Sequence, residues 1–223
     1  NWIRVLPYEY TEEYEIFGKE LNVYAQVKAD FNKSWGRSNN HILLGADFKT
    51  DGNLGEGKVY DDATPPLRNN SADYSSYRKR PYYDVPFVNQ LGLFLEDSYT
   101  TTFAERNLNI KAGVRYDNIG GKSVVAPRLN GSLDLFPRVL TLRGGWGISA
   151  KAPTALMLYP EMAYFNINNY DYQDADGNRT TVATVRAFDP TNPNLEIARQ
   201  RSAEVGFDLR IADRYRLSVT AYD

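Results

Sequence analysis

The sequence has no cysteine, one histidine and two methionines among its 223 residues. Without cysteine there is no disulfide, no thiol nucleophile and no thiolate metal site. With His41 as the single imidazole, a zinc centre or a Ser-His-Asp set has one residue to build on, and no nucleophile-elbow pattern accompanies it. No catalytic residue, metal site or cofactor is therefore expected. Long apolar runs are missing too. Nothing approaches about 18 consecutive apolar residues, which excludes a membrane helix but leaves membrane strands open. An excess of one charge is also absent. Lys and Arg total 26 against 28 Asp and Glu, giving a net charge of −2. With a pI of about 5.6 there is no electrostatic reason to expect nucleic acid as a partner. What the chain does have is tyrosine, 17 of them, and a tyrosine load of that size needs a use.

The length allows one large all-β unit or two small domains. Asn1-Trp2-Ile3 carries no Met, no basic segment and no apolar segment of a signal peptide, and the last residues, from Arg216 to Asp223, read as a strand without a following turn. The expectation is a piece of a longer polypeptide.

Hydrophobicity alternates with period 2 almost everywhere. Over 108–117, Leu108, Ile110, Ala112, Val114 and Tyr116 oppose Asn109, Lys111, Gly113, Arg115 and Asp117. Over 126–135, Pro127, Leu129, Gly131, Leu133 and Leu135 oppose Arg128, Asn130, Ser132 and Asp134. Leu140, Leu142, Trp146 and Ile148 face away from Thr141, Arg143, Gly145 and Gly147, and Ala203, Val205, Phe207, Leu209 and Ile211 away from Glu204, Gly206, Asp208 and Arg210. The same pattern runs through 21–31 and 42–48. Such repetition predicts roughly nine antiparallel strands, each with one apolar and one polar face.

Alternation alone fits a sandwich as well as a barrel, because both bury one face. Three features favour a membrane barrel. Several strands reach about 10 residues, the length that crosses a bilayer at a tilt. Connections near 35–40, 100–104, 136–138 and 211–214 are short, whereas about 52–86 and about 151–200 are long. Short turns on one rim and long loops on the other is the outer-membrane arrangement. Aromatics at strand ends, Tyr8, Tyr10, Tyr99, Tyr116, Trp146 and Tyr215, suit the headgroup region.

Three stretches in order carry a family resemblance. They are Leu93-Phe-Leu-Glu-Asp-Ser-Tyr99 with 108–117; Ala126-Pro-Arg-Leu-Asn130 with 142–154 and Leu158-Tyr159; and Asn192-Pro-Asn-Leu-Glu196 with 202–208. Together they resemble the later barrel strands of TonB-dependent outer-membrane receptors, most of all the Bacteroidetes-type receptors with a carboxypeptidase-regulatory-like extension. At 148–153 many relatives place an Arg before Ala-Pro, where this chain has Lys151. The resemblance implies an all-β fold: an antiparallel transmembrane β-barrel segment belonging to a larger barrel of about 22 strands, with long extracellular loops and short periplasmic turns. Residues 1–223 would be partial barrel, with the plug outside this chain. It further implies import of a glycan, peptide, siderophore or corrinoid, driven by the proton gradient through TonB. The implied partners are outer-membrane lipid, TonB through the part not present here, and the substrate; a surface lipoprotein is allowed.

Within that frame Lys111, Arg115, Asp117, Arg128, Asp134, Arg143, Glu204, Asp208 and Arg210 are expected to face the lumen, because a midplane Arg or Lys against lipid costs about 2–4 kcal/mol. The long loops concentrate rings and cations suited to stacking and hydrogen bonding. The candidate ligand contacts are Tyr74, Tyr77, Arg78, Arg80, Tyr82, Tyr83, Tyr159, Tyr164, Phe165, Tyr170, Tyr172 and Arg179. Tyrosines that merely pack loops, and a solvated Arg78-Lys79-Arg80, are the plain alternatives. The acidic run from Asp171 to Asn178 fails the EF-hand order at Arg179 and reads better as a hairpin turn at Asp176-Gly177 between strands at 163–172 and 180–186. Two other architectures remain open: a small closed outer-membrane barrel acting as a pore or adhesin, and a soluble β-sandwich module for carbohydrate. An outer-membrane hydrolase is the weakest reading.

Overall fold

The computed structural model describes residues 2–7, 10–11, 13–63, 69–70, 75–76, 78–212 and 214–223. Its strands run in chain order β1 (Trp2–Pro7), β2 (Tyr14–Phe17), β3 (Glu20–Trp35), β4 (Ser38–Asn53), β5 (Gly57–Tyr60), β6 (Asn69–Asn70), β7 (Ser75–Ser76) and β8 (Val88–Phe103). They continue with β9 (Arg106–Ile119), β10 (Lys122–Phe136), β11 (Leu140–Lys151), β12 (Ala163–Gln173), β13 (Arg179–Phe188), β14 (Ala198–Ile211) and β15 (Tyr215–Tyr222). Helical structure among the described residues is limited to single turns at Tyr82–Asp84 and Ala155–Leu158.

The chain forms two units. The larger holds Val23–Thr50, Asn89–Ala152 and Glu196–Asp223. Its sheet has eight strands in the order β15-β14-β11-β10-β9-β8-β4-β3, antiparallel at every pairing the structure registers. Six of these strands are 14–16 residues long, with β11 at 12 and β15 at 8. The expected faces appear as read. Leu93, Leu95, Val114, Val125, Leu129, Leu142, Trp146, Val205, Leu217 and Val219 all stand exposed on the apolar side, with nothing of this unit stacked over them. A row of exposed leucine and valine on long strands belongs against hydrocarbon rather than water.

The apolar side is not uniform. On β8 the leucine row passes into Asp97, Tyr99 and Thr101. Their polar atoms are met by β4: Asn40 Nδ2 donates to both Asp97 oxygens at 2.8 and 3.1 Å, and the Ser38 hydroxyl lies 2.9 Å from Thr101 and 3.1 Å from Tyr99. The polar side departs from the simple pattern at its other end. There Ile119, Val124 and Ala126 are buried on the same side as Asp117.

Four short connections lie on one rim of this sheet: the tight turns Gly36-Arg37, Ala104-Glu105 and Pro137–Val139, and the link from β14 to β15, where Ala212 and Arg214 are the described residues. The first is shorter than the sequence suggests, since β4 already starts at Ser38. The opposite rim carries the two long connections and one further tight turn, Gly120-Gly121. Both residues there have positive φ, 56° and 85°, the two-residue hairpin geometry that glycine accepts without strain.

One glycine inside the sheet fixes a long side chain. A Cβ on Gly92 would stand 2.2 Å from Arg115 Nη2 and 2.6 Å from Asp47 Oδ1. Arg115 on β9 thus reaches Asp47 on β4 by passing over the bare backbone of β8. Gly92→Ala is expected to displace that guanidinium and to cost about 1–3 kcal/mol, read as a lower melting temperature of the refolded protein.

The second unit holds Asn1–Asn22, Asp51–Val88 and Pro153–Leu195. It contains a three-stranded sheet, β1-β13-β12, and the small pairs β2-β5 and β6-β7. The predicted hairpin is present. Asp174 closes its turn by accepting the N–H groups of Asp176 at 3.0 Å and Asn178 at 2.8 Å, and the Asn178 side chain holds this carboxyl below the usual aspartate range. Thr181, Ala183 and Val185 form the buried side of β13.

Candidate functional site

Two constellations collect the polar and aromatic candidates. In the unit of long connections, the stretch 78–86 is bound to β5. Lys58 N–H donates to Arg80 O at 3.3 Å and Arg80 N–H to Lys58 O at 3.4 Å, while Tyr82 and Tyr83 N–H groups both donate to Gly55 O, at 3.1 and 3.3 Å. Close approach requires glycine here. Gly57 has φ 75°, and a Cβ on it would lie 1.8 Å from Arg80 O. Buried Lys58 donates to both oxygens of Glu161, at 2.7 and 2.9 Å. Arg80 reaches the same carboxylate at 3.9 Å and also donates to the Tyr159 carbonyl. The guanidinium of buried Arg78 stacks over the Tyr164 ring, 5.1 Å from its centroid, and Lys79 sits 5.1 Å over Tyr60 while pairing with Asp62 at 2.8 Å. Burial, the nearby Tyr60 and Glu161 raise the Tyr164 hydroxyl above its ordinary value, and burial followed by Glu161 does the same to Tyr82. Of these, Arg78, Lys79, Arg80, Tyr159, Glu161 and Tyr164 line a cavity of about 260 Å³ together with Pro81, Pro86, Pro160 and Met162.

The predicted ligand contacts therefore divide. Arg78, Arg80, Tyr159 and Tyr164 share one cavity, and Tyr82 lies beside it. Tyr83 is exposed. Phe165, Tyr170 and Tyr172 stand on the other side of β12. The reason is a bulge: the register of β12 on β13 shifts between Asn168 and Tyr170, so Phe165, Ile167, Tyr170 and Tyr172 all present the same exposed face. Arg179 lies at the hairpin end opposite Gln173. Tyr74, Tyr77 and, among the strand-end aromatics, Tyr8 lie outside the described residues. Lys58 and Glu161 were not foreseen. The Gly55-Glu56-Gly57 spacing was the available signal, since closely set glycines mark a place where another backbone approaches.

The second constellation is the polar side of the eight-stranded sheet. Arg115 is its centre. It binds Asp47 through two bonds of 2.8 and 2.9 Å and Asp117 through bonds of 2.7–3.0 Å. Gln90 adds a bond of 3.2 Å to Asp117, and the Arg115 guanidinium lies 5.8 Å from the Phe94 centroid. Lys111 pairs with Glu96 at 2.8 Å. Asp134 accepts from Asn107 at 2.9 Å and Thr141 at 2.7 Å. Asp208 joins Arg143 at 3.5 Å and Arg216 at 3.4 Å and accepts the Ser218 hydroxyl. The Arg128 stem lies across Gly113 and Gly147, Glu204 lies beside Gly145, and Arg210 borders a polar recess of about 830 Å³ with Asp134 and Asp208. His41 pairs with Asp30 at 2.9 Å on this same side, which accounts for the single imidazole.

An antiparallel wall with one exposed apolar side, one ion-paired side and open sheet edges is a stretch of transmembrane β-barrel. The sequence profile described as "TonB dependent receptor-like, beta-barrel" matches residues 4–223, and the chain belongs to that family. Its members reside in the outer membrane of Gram-negative bacteria. They are receptors and transporters rather than enzymes. No curated protein sequence matches the chain. Among solved structures, the ferric enterobactin receptor PfeA in complex with BCV-L6 is similar at TM-score 0.60 with 18% identity, over 92% of this chain and 27% of that one. A mutant of PfeA from Pseudomonas aeruginosa in complex with enterobactin gives 0.57 and 17%, over 92% and 27% of the two chains. The siderophore receptor PirA from Acinetobacter baumannii gives 0.57 and 16% with the same coverage. The chain thus spans about a quarter of the length of these receptors.

Proposed function

We propose that this chain is barrel wall of an energised importer that takes a scarce nutrient across the outer membrane. The apolar rows face lipid, and the side holding Lys111, Arg115, Asp117, Arg128, Asp134, Arg143, Glu204, Asp208 and Arg210 faces the lumen. The short-turn rim points to the periplasm. The long connections, about 52–86 and 151–200, lie outside the cell and offer ligand contacts. The observation carrying this reading is the pairing of an exposed apolar side with a densely ion-paired opposite side in a chain matched almost end to end by a receptor-barrel family. TonB would be engaged by plug-bearing polypeptide beyond these 223 residues, with the proton gradient as the energy source. We place the receptor in the Bacteroidetes type on the ordered stretches at 93–99, 126–130 and 192–196, which leaves room for a surface lipoprotein partner.

Among glycan, peptide, corrinoid and siderophore, the similar structures favour a siderophore, since PfeA and PirA are named for ferric enterobactin and siderophore binding. The cavity around Arg78, Arg80 and Tyr164 suits such a ligand through stacking and charge-assisted hydrogen bonds. The test is uptake of radiolabelled ferric catecholate by iron-starved cells expressing the full-length receptor, with and without a protonophore. Arg80→Ala combined with Tyr164→Ala is expected to weaken binding roughly tenfold or more. Uptake that survives the protonophore, or binding unchanged by both substitutions, would refute the reading.

A further inference from the structure

All four short connections on the short-turn rim have the same make-up, although their lengths and conformations differ. Each contains or abuts one arginine: Arg37, Arg106, Arg138 and Arg214. Each follows a large apolar residue at the end of the preceding strand, Trp35, Phe103, Phe136 and Ile211 respectively, and all four of these are about half exposed. Arg37, Arg138 and Arg214 are exposed, Arg138 also bordering the polar recess that holds Asp134 and Asp208, and Arg106 is half-buried on the row that continues through Leu108 and Ile110. Among the described residues none of the four arginines makes an ion pair or a side-chain hydrogen bond. That contrasts with Arg115, Arg143 and Arg216 on the polar side, each of which meets a carboxylate. The acids nearest in sequence are Glu105, and Asp213, which lies outside the described residues.

The rim also holds its backbone in costly conformations to make these turns. Ala104, Glu105, Arg138 and Ala212 have φ of 46°, 61°, 64° and 49°, the left-handed region that glycine normally fills. At Arg138 the chain places a long cation where Gly or Asn would fold more easily. Next to the rim, the apolar side turns polar, with the Ser38 hydroxyl hydrogen-bonded to both Tyr99 and Thr101. Hydrocarbon therefore ends near this level on β4 and β8, and the arginines stand where headgroups begin.

We propose that these four arginines bind the phosphates of glycerophospholipid headgroups and anchor this rim at the inner surface of the membrane, with Trp35, Phe103, Phe136 and Ile211 seated in the acyl boundary beneath them. A guanidinium suits a phosphate because its planar donors reach two oxygens at once. The charge complementarity is direct, and the surface continues the lipid-facing rows already described. The lipid source follows from the periplasmic placement of the short turns proposed above, and the inference rests on that reading.

The experiment is native mass spectrometry of the full-length receptor extracted in mild detergent, scoring retained phosphatidylglycerol and retained lipopolysaccharide. Wild type is compared with the R37Q, R106Q, R138Q and R214Q quadruple variant and with R210Q plus R216Q on the polar side. Each turn arginine removed is expected to lower phospholipid retention about fivefold, and the quadruple variant more than a hundredfold, with the polar-side pair unchanged. If the quadruple variant does not insert, R37Q and R138Q alone are scored, and each is expected to show the fivefold loss. Unchanged phospholipid retention overturns the proposal and leaves the uptake reading standing. Loss of lipopolysaccharide in place of phospholipid overturns both the proposal and the periplasmic placement of this rim.

Discussion

Arg115→Ala is expected to destabilise the wall by about 3–5 kcal/mol, the usual consequence of removing one member of a buried charge cluster. The size follows from what remains. Asp47 and Asp117 are 6% and 7% exposed, and both direct their oxygens at this one guanidinium. Without it, two carboxylates face each other across β8 with Gln90 as the remaining donor to Asp117. Arg115→Lys is expected to recover part of the loss and no more, because a single ammonium cannot form paired bonds to two carboxylates. Asp47→Asn with Asp117→Asn in the Arg115→Met background should be far milder, since the unmatched charges leave together. The measurement is thermal unfolding of refolded protein in detergent, followed by the gel shift between compact and heat-denatured barrel. A loss below about 1 kcal/mol in Arg115→Ala would show the cluster to be wet and weakly coupled.

That cluster also shows what could be read from the chain alone. The alternation of Leu108, Ile110, Ala112 and Val114 with Lys111, Arg115 and Asp117 was enough to assign strands, faces and the all-β class, because side-chain direction has period 2 whatever the strand pairs with. The hairpin at Asp174–Asn178 was legible for the same local reason. Partners were not. Nothing near Arg115 in sequence announces Asp47, which is 68 positions away and reached across a third strand, and Gly92 is meaningful only once that crossing is known. In the loop region, composition named Arg78, Arg80, Tyr159 and Tyr164 but also Phe165, Tyr170 and Tyr172. The bulge at Asn169 then put the last two in phase with Phe165 on the opposite face, a re-phasing that a single extra residue produces and alternation cannot foresee. Lys58 and Glu161 went unremarked because single charges in polar stretches carry no pattern, although their ion pair holds the cavity wall.

Leu129→Arg is the substitution that separates a membrane wall from every water-soluble reading. Leu129 sits mid-strand in β10, opposite Ala112 on one side and Trp146 on the other, and is half exposed. In water, adding a charge at an exposed position of a sheet changes stability by a few tenths of a kcal/mol. Against hydrocarbon the same side chain near the midplane costs about 2–4 kcal/mol. Asn109→Arg supplies the matched control. It lies on the neighbouring strand, on the polar side, bonded weakly to Ser132 at 3.4 Å and within a face already populated by ions. The expected result in phospholipid vesicles is a lowered folding yield and stability for Leu129→Arg and near-wild-type behaviour for Asn109→Arg, each measured by urea-dependent tryptophan fluorescence. In detergent the gap between the two variants should narrow, because a micelle lets the guanidinium reach water. Equal behaviour of both variants in vesicles would mean that the apolar rows do not face lipid, and the importer reading would fall with the orientation of its wall.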